Sequence, residues 1–230
     1  MAVRALLLAL VLLGCAACGG EDTSDGGGAG QTTAATTDER GESTVTTVNG
    51  CEQVETPATK PDGGQEPPDG PLDSAESPQL VFVTNCGEFT VTLDPKLAPN
   101  TSASLVKLAE NGFYDGTIFH RIVPGFVIQG GDPTGSGSGG PGYKTVDRPP
   151  ADARYTKGVV AMAKAGDEPA GTSGSQFFVV TGADVGLPPD YAVVGRVTNG
   201  IAVVELIGEL GDQSERPTQI VLIRKVTVQG

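Results

Sequence analysis

The residues best suited to chemistry stand together in one stretch, Phe119-His120-Arg121-Ile122-Val123-Pro124-Gly125-Phe126-Val127-Ile128-Gln129-Gly130-Gly131-Asp132. It holds the only histidine of the 230-residue chain, an arginine, two phenylalanines and a glutamine, and it runs into a glycine-rich loop. Hydrogen-bonding side chains set among aromatics point to a shallow site for a partly apolar ligand. Arg121 in an otherwise aliphatic run needs a reason to be there, because an unpaired charge is costly to desolvate. His120 is the obvious acid–base candidate. It sits in a strand-like run and is expected to be structural, hydrogen-bonded within the fold.

Other chemistries find less support. Gly171-Thr172-Ser173-Gly174-Ser175 approaches a nucleophile elbow but fails at its last position, and no triad is legible. Gly135-Ser136-Gly137-Ser138-Gly139-Gly140 contains a literal dinucleotide fingerprint, yet Pro141-Gly142 stands where the phosphate-binding helix would begin. It reads as a flexible loop. No cysteine has a metal-ligand neighbour, and no carboxylate pair is evident. The remaining chemistry is non-covalent, with no cofactor and no metal.

Short strands must position these residues. Leu80–Thr84 and Phe89–Leu93 flank Asn85-Cys86-Gly87-Glu88 as a β-hairpin. Residues 98–111 have helical spacing at Ala103, Val106 and Ala109, with Asn100 or Thr101 as N-cap and Asn111-Gly112 as the stop. Further strands are expected at 158–165, 175–181, 191–197 and 218–228, with a short helix near 200–207. The expected fold is all-β dominated: a closed antiparallel barrel of about eight strands capped by two α-helices.

Charge divides the chain. Residues 19–78 carry 13 acidic and two basic side chains, whereas residues 79–230 carry 15 and 12. The domain is nearly balanced, which argues against nucleic acid as its partner. Residues 1–18 read as a signal peptide, with Arg4 before the apolar run Ala5–Leu13 and a lipobox-like Leu12-Leu13-Gly14-Cys15. Cys15 is the expected lipidation site and Cys18 the second candidate, giving a lipid anchor to the bacterial cell membrane as the only membrane contact and an extracytoplasmic location. Residues 19–78, rich in Gly, Thr, Asp, Glu and Pro, are expected to be a disordered acidic linker, with local docking open to the segment 44–55. Residues 79–230 form the folded domain. Cys51 and Cys86 are then a candidate disulfide, two free thiols being the alternative.

Three blocks carry a family resemblance: Phe119-His120-Arg121 through Gly130-Gly131-Asp132, Gly158-Val159-Val160-Ala161-Met162-Ala163, and Gly174-Ser175-Gln176-Phe177-Phe178-Val179. In order and spacing they resemble the cyclophilin-type peptidyl-prolyl isomerases, over about Leu80 to Val228. The resemblance implies rotation of Xaa-Pro bonds, whose amide resonance imposes a barrier of roughly 18–20 kcal/mol. It makes Arg121 the catalytic donor, with Phe126 and Gln129 beside it as catalytic residues. Phe126, Phe178 and Leu187 then line the proline pocket, with Val127 where the family often has methionine. Gln129 bonds the substrate backbone, the main chain of Ala163-Lys164 lines the groove, Gln176 stands beside the arginine, and Tyr191 takes a position that is often histidine.

The resemblance has departures. Gly186 stands where tryptophan is common, Pro188-Pro189 follow in the next loop, and Lys164 replaces a common asparagine. One wall of the groove is lowered, which implies weak cyclosporin binding. The implied partners are proline-containing polypeptides, handled by a monomer that assists folding outside the cytoplasm. The alternatives are a binding module of the same fold with little turnover, and a lipid-tethered structural protein.

Overall fold

A computed structural model describes residues 45–230. Two short strands, β1 (Thr47–Val48) and β2 (Cys51–Glu52), precede the domain, which begins with the hairpin of β3 (Gln79–Thr84) and β4 (Gly87–Leu93). Then follow α1 (Pro99–Glu110), β5 (Thr117–Ile118), β6 (Arg121–Val123), β7 (Val127–Gly130), β8 (Thr145–Val146) and β9 (Val159–Met162). The chain ends with β10 (Thr172–Ser173), β11 (Phe177–Val180), β12 (Val193–Asn199), α2 (Ile201–Gly208) and β13 (Leu222–Gln229).

Nine strands form one antiparallel sheet in the order β5-β13-β3-β4-β12-β9-β11-β7-β6. It curls into a half-barrel, and the closed eight-stranded barrel expected from the sequence is not what forms. The end strands β5 and β6 are nearly contiguous in the chain, so the segment 117–123 itself crosses the gap. Phe119 N–H bonds Val221 O at 2.9 Å, on the β13 side, and His120 N–H bonds Gln129 O at 3.1 Å on β7. Each half of the segment is committed to its own neighbour, and β5 and β6 stay at opposite ends of the sheet with no ladder between them.

Period-2 alternation sends one side chain of each pair inward. Phe82, Phe89, Phe119, Phe177 and Tyr114 meet inside the curl, Phe82 and Phe89 stacking at 4.8 Å between ring centroids. Full burial of each such side chain contributes about 2–3 kcal/mol. Helix α1 lies against β13 and β8, and α2 against β4, β6 and β7, burying Val204 and Ile207. The N-cap of α1 is Ala98, not Asn100 or Thr101, because Pro99 occupies the first helical turn, where its missing N–H costs nothing. The orphaned donors are satisfied from a distance: Asp147 accepts Thr101 N–H at 2.6 Å and the Asn100 side-chain amide at 2.8 Å.

Residues 45–78 are not the disordered linker their composition implies. They form a strap along the domain. Cys51 and Cys86 are joined in a disulfide. Lys60 Nζ donates to the carbonyls of Gly112, Phe113 and Asp115 at 2.7, 2.7 and 3.0 Å, just beyond the C-terminus of α1. Its pKa is pushed down by desolvation, against the pull of Asp115. Main-chain bonds run from Lys60 N to Pro133 O, Gly63 N to Gly140 O, Gln65 N to Pro141 O and Leu72 N to Pro99 O. The expectation of disorder rested on missing apolar surface. A disulfide, a lysine plug and a row of backbone hydrogen bonds need none. The signal-peptide and lipobox expectations, including Cys15 and Cys18, lie outside the described residues, as do residues 19–44 of the expected linker. No described helix is long and apolar enough to cross a membrane.

Candidate active site

The stretch 119–132 is a hairpin rather than one strand. Pro124-Gly125 makes the turn, closed by Phe126 N–H to Val123 O at 3.0 Å, with Gly125 at φ 69°. Proline followed by a residue of positive φ is the type II pattern, open to glycine at little steric cost. The hairpin register sets Arg121 opposite Gln129. The next ladders set Gln129 opposite Phe178 and Phe178 opposite Ala161. Arg121, Gln129, Phe178 and Ala161 therefore form one row across β6, β7, β11 and β9. Ile122, Ile128, Val179 and Val160, the next row, belong to the interior cluster.

Beneath the row lies a second apolar cluster on the opposite face of the sheet, containing Val127, Tyr155, Val159, Ala161, Phe178 and Val180. Phe126, Ala163, Leu187 and Tyr191 pack against it. A cavity of about 320 Å³ opens above, lined by Arg121, Phe126, Val127, Gln129, Ala163, Lys164, Phe178, Leu187 and Tyr191. Of the groove residues named from the sequence, only Gln176 stands outside it. Gln176 lines the adjoining cavity and fixes the row from behind: its Oε1 accepts Gln129 Nε2 at 3.1 Å, and its Nε2 donates to Gly137 O and Gly139 O. The low wall is visible too, for Gly186 sits at φ 63° with open space where a side chain would be.

Two residues of the site escaped the sequence reading. Tyr155 is fully buried under the cavity, its hydroxyl donating to Tyr191 O at 2.7 Å and accepting Tyr191 N–H at 3.0 Å. That exchange locks Tyr191 edge-on to Phe178, with 5.6 Å between centroids. Glu215 pairs with Arg121, Oε2 to Nε at 2.7 Å, while Arg121 Nη1 donates to Gln129 Oε1 at 3.3 Å. Among the described residues Nη2 has no partner, and the side chain is 33 % exposed. Glu215 adopts φ 64°, a left-handed conformation that costs a non-glycine residue about 1 kcal/mol. Its carbonyl accepts Ile122 N–H at 3.0 Å, tying this strained turn to the strand that carries Arg121.

Lys164 is covered, its side chain 3 % exposed, and pairs with Asp190 at 2.7 Å. The hydrogen bond that its ammonium donates to Asp190 pushes its pKa up. His120 is not hydrogen-bonded within the fold as expected: neither ring nitrogen has a partner among the described residues. Desolvation lowers its pKa below the ordinary value, outweighing the opposite pull of Asp132. The fold thus holds neutral imidazole, and unfolding takes up a proton below pH ~6.5. His120 therefore supports the fold above that pH, and its contribution erodes as pH falls from ~6.5 through the folded-state pKa. Between pH 8 and 5 the wild type should lose more stability than His120→Phe, measured by urea unfolding. Equal losses in both proteins would clear His120 of this role. Among the described residues, no cluster of His, Cys, Asp and Glu has the make-up of a metal site.

An apolar cleft with a guanidinium at its rim suits a ligand that is partly apolar and carries hydrogen-bond acceptors. Comparison with known proteins identifies the family. The family model for cyclophilin-type peptidyl-prolyl cis-trans isomerases matches residues 79–228. The chain is 39% identical over 165 residues to human peptidyl-prolyl cis-trans isomerase-like 1, covering 70% of this chain and 98% of the relative. It is 39% identical over 164 residues to peptidyl-prolyl cis-trans isomerase A of Mycobacterium tuberculosis, covering 63% and 88%. Among solved structures, a Cryptosporidium parvum cyclophilin-type isomerase, crystallised in the presence of the dipeptide Ala-Pro, superposes with a TM-score of 0.61 at 30% identity, covering 66% of this chain and 99% of that one. The chain belongs to the cyclophilin-type peptidyl-prolyl cis-trans isomerase family, and it is an enzyme of that class.

Proposed function

We propose that the nine-residue cavity seats the proline ring of an Xaa-Pro segment and that Arg121 drives the rotation. As the amide twists, resonance is lost and the imide nitrogen gains a basic lone pair. A fixed cation at that nitrogen binds the twisted state more strongly than either planar isomer, and each 1.4 kcal/mol of that difference is worth about tenfold in rate. Arg121 is permanently charged and planar, and two of its nitrogens are already held by Glu215 and Gln129. Phe126, Val127, Phe178, Leu187 and Tyr191 grip the ring. Gln129, which keeps one N–H and one lone pair free of its two bonds, holds the flanking backbone with the main chain of Ala163-Lys164. No covalent intermediate and no general base are required. The observation carrying this reading is the single row Arg121–Gln129–Phe178 at the mouth of an apolar cavity. A protease-coupled assay on an Xaa-Pro peptide tests it: catalysed isomerisation supports it, and an uncatalysed rate refutes it.

Glu215 acts here by fixing the guanidinium. Glu215→Gly removes the carboxylate and also relieves the left-handed strain, so stability should hold or rise while kcat/KM falls roughly two- to fivefold, within the ~1 kcal/mol typical of a partly exposed ion pair. Unchanged turnover would show that Arg121 needs no such anchor. The open wall at Gly186 predicts weak cyclosporin binding, which a tight complex in a titration would contradict.

The working location we propose is outside the cytoplasm, lipid-anchored through Cys15, where the enzyme assists folding of exported proteins as a monomer. The Cys51–Cys86 disulfide supports an oxidising compartment. Retention of Cys15→Ser in the membrane fraction would argue against that anchor.

A further inference from the structure

The strap adds a charge to the substrate site that the family domain alone does not have. Next to the proline groove lies a second cavity of about 540 Å³, sharing Gln129, Ala163 and Lys164 with it. Four charged side chains line this cavity: Asp62, Lys144, Lys164 and Glu168. Lys144 is paired with Glu168 at 2.9 Å and Lys164 with Asp190 at 2.7 Å. Asp62 has no cationic partner among the described residues; its Oδ1 accepts only the Gly140 N–H, at 2.8 Å. With Lys164 neutralised by Asp190 from outside the cavity, Asp62 is the one lining charge left uncompensated.

That charge is held in place. Gly63 N–H returns a bond to Gly140 O at 2.9 Å, so residues 62–63 and the glycine-rich loop exchange hydrogen bonds in both directions. Two residues earlier, Lys60 is plugged into three carbonyls. Asp62 lies outside the residues 79–228 that the family model matches.

We infer that the strap makes this enzyme prefer proline segments bearing a lysine or arginine near the Xaa-Pro bond, with the cationic head against Asp62. The inference rests on the proline groove proposed above. An extended chain advances ~3.3–3.6 Å per residue. With the two cavities sharing a rim, the cationic residue falls within about three positions of the proline.

The test is a set of Xaa-Pro peptides with Ala, Lys or Glu placed singly at each of the three positions on either side of the bond. At one position Lys should exceed Glu by roughly fivefold in kcat/KM at low salt, mostly through KM, and the ratio should shrink in 0.5 M salt. Asp62→Asn, which keeps an acceptor for Gly140 N–H, should bring Lys and Glu together, and Asp62→Lys should reverse their order. Equal rates for Lys and Glu everywhere in the wild type, or a preference that survives Asp62→Asn, overturns the inference while leaving the isomerase reading intact. No acceleration on any peptide, the alanine ones included, overturns both.

Discussion

Replacing Arg121 with alanine is expected to lower kcat/KM for an Xaa-Pro peptide by about a hundredfold, the usual cost of removing one preorganised donor from a transition state. The thermal midpoint should barely move. Arg121 is one-third exposed and its partner Glu215 half exposed, so their ion pair contributes at most ~1 kcal/mol to folding. Arg121→Lys keeps the charge but loses the fork that bonds Glu215 and Gln129 simultaneously. It should fall between the wild type and alanine. Retention of more than a third of the activity in Arg121→Ala would mean that the guanidinium is not the donor.

The second large effect lies behind the groove. Asp132 is fully buried, and its carboxylate accepts Thr134 N–H at 2.7 Å, Thr134 Oγ1–H at 2.9 Å, Gly137 N–H at 2.5 Å, Gly139 N–H at 3.2 Å and Ser136 Oγ–H at 3.4 Å. Burial works to raise its pKa, but the bonds from Thr134, Gly139 and Gly137 win and hold the carboxyl below its ordinary value. Asp132→Ala leaves those loop donors without an acceptor and should cost about 3 kcal/mol or more in urea unfolding at pH 7. Because the folded pKa is depressed, this stability is present above the ordinary carboxylate pKa of ~4 and is lost as pH falls through the folded value. The gap between wild type and variant should therefore close in acid. Activity should fall as well, since Gln176 bonds the same loop at Gly137 and Gly139 and passes that placement to Gln129. A destabilisation under 1 kcal/mol at pH 7 would show that the loop is held by other means.

The hairpin of β3 and β4 and the positions of α2, β9 and β11 were legible because their periodicity is local. The groove residues were legible for another reason: three blocks of residue types in fixed order resembled a known family. Closure was not legible. The segment 117–123 splits its backbone bonds between Val221 and Gln129, and no pattern of side chains reports that. Pro124-Gly125 did mark a turn inside the signature stretch, so the hairpin there was available to a reading of turn chemistry. Glu215 was not, for it sits in the polar run Asp212-Gln213-Ser214-Glu215-Arg216-Pro217, and its left-handed conformation has no local signal in a glutamate. Tyr155 was hidden likewise in an irregular segment. The strap misled because its composition lacks apolar surface, while Lys60, Cys51 and backbone bonds supply the order instead.

The most direct measurement is two-dimensional exchange NMR on an Xaa-Pro peptide with a substoichiometric amount of the protein. The account predicts that cis–trans exchange, which takes tens to hundreds of seconds unaided, becomes fast enough to give exchange peaks within a sub-second mixing time, and that Arg121→Ala abolishes those peaks. Shifted peptide resonances with no exchange peaks would mean that the groove holds proline without turning it, and would contradict the account.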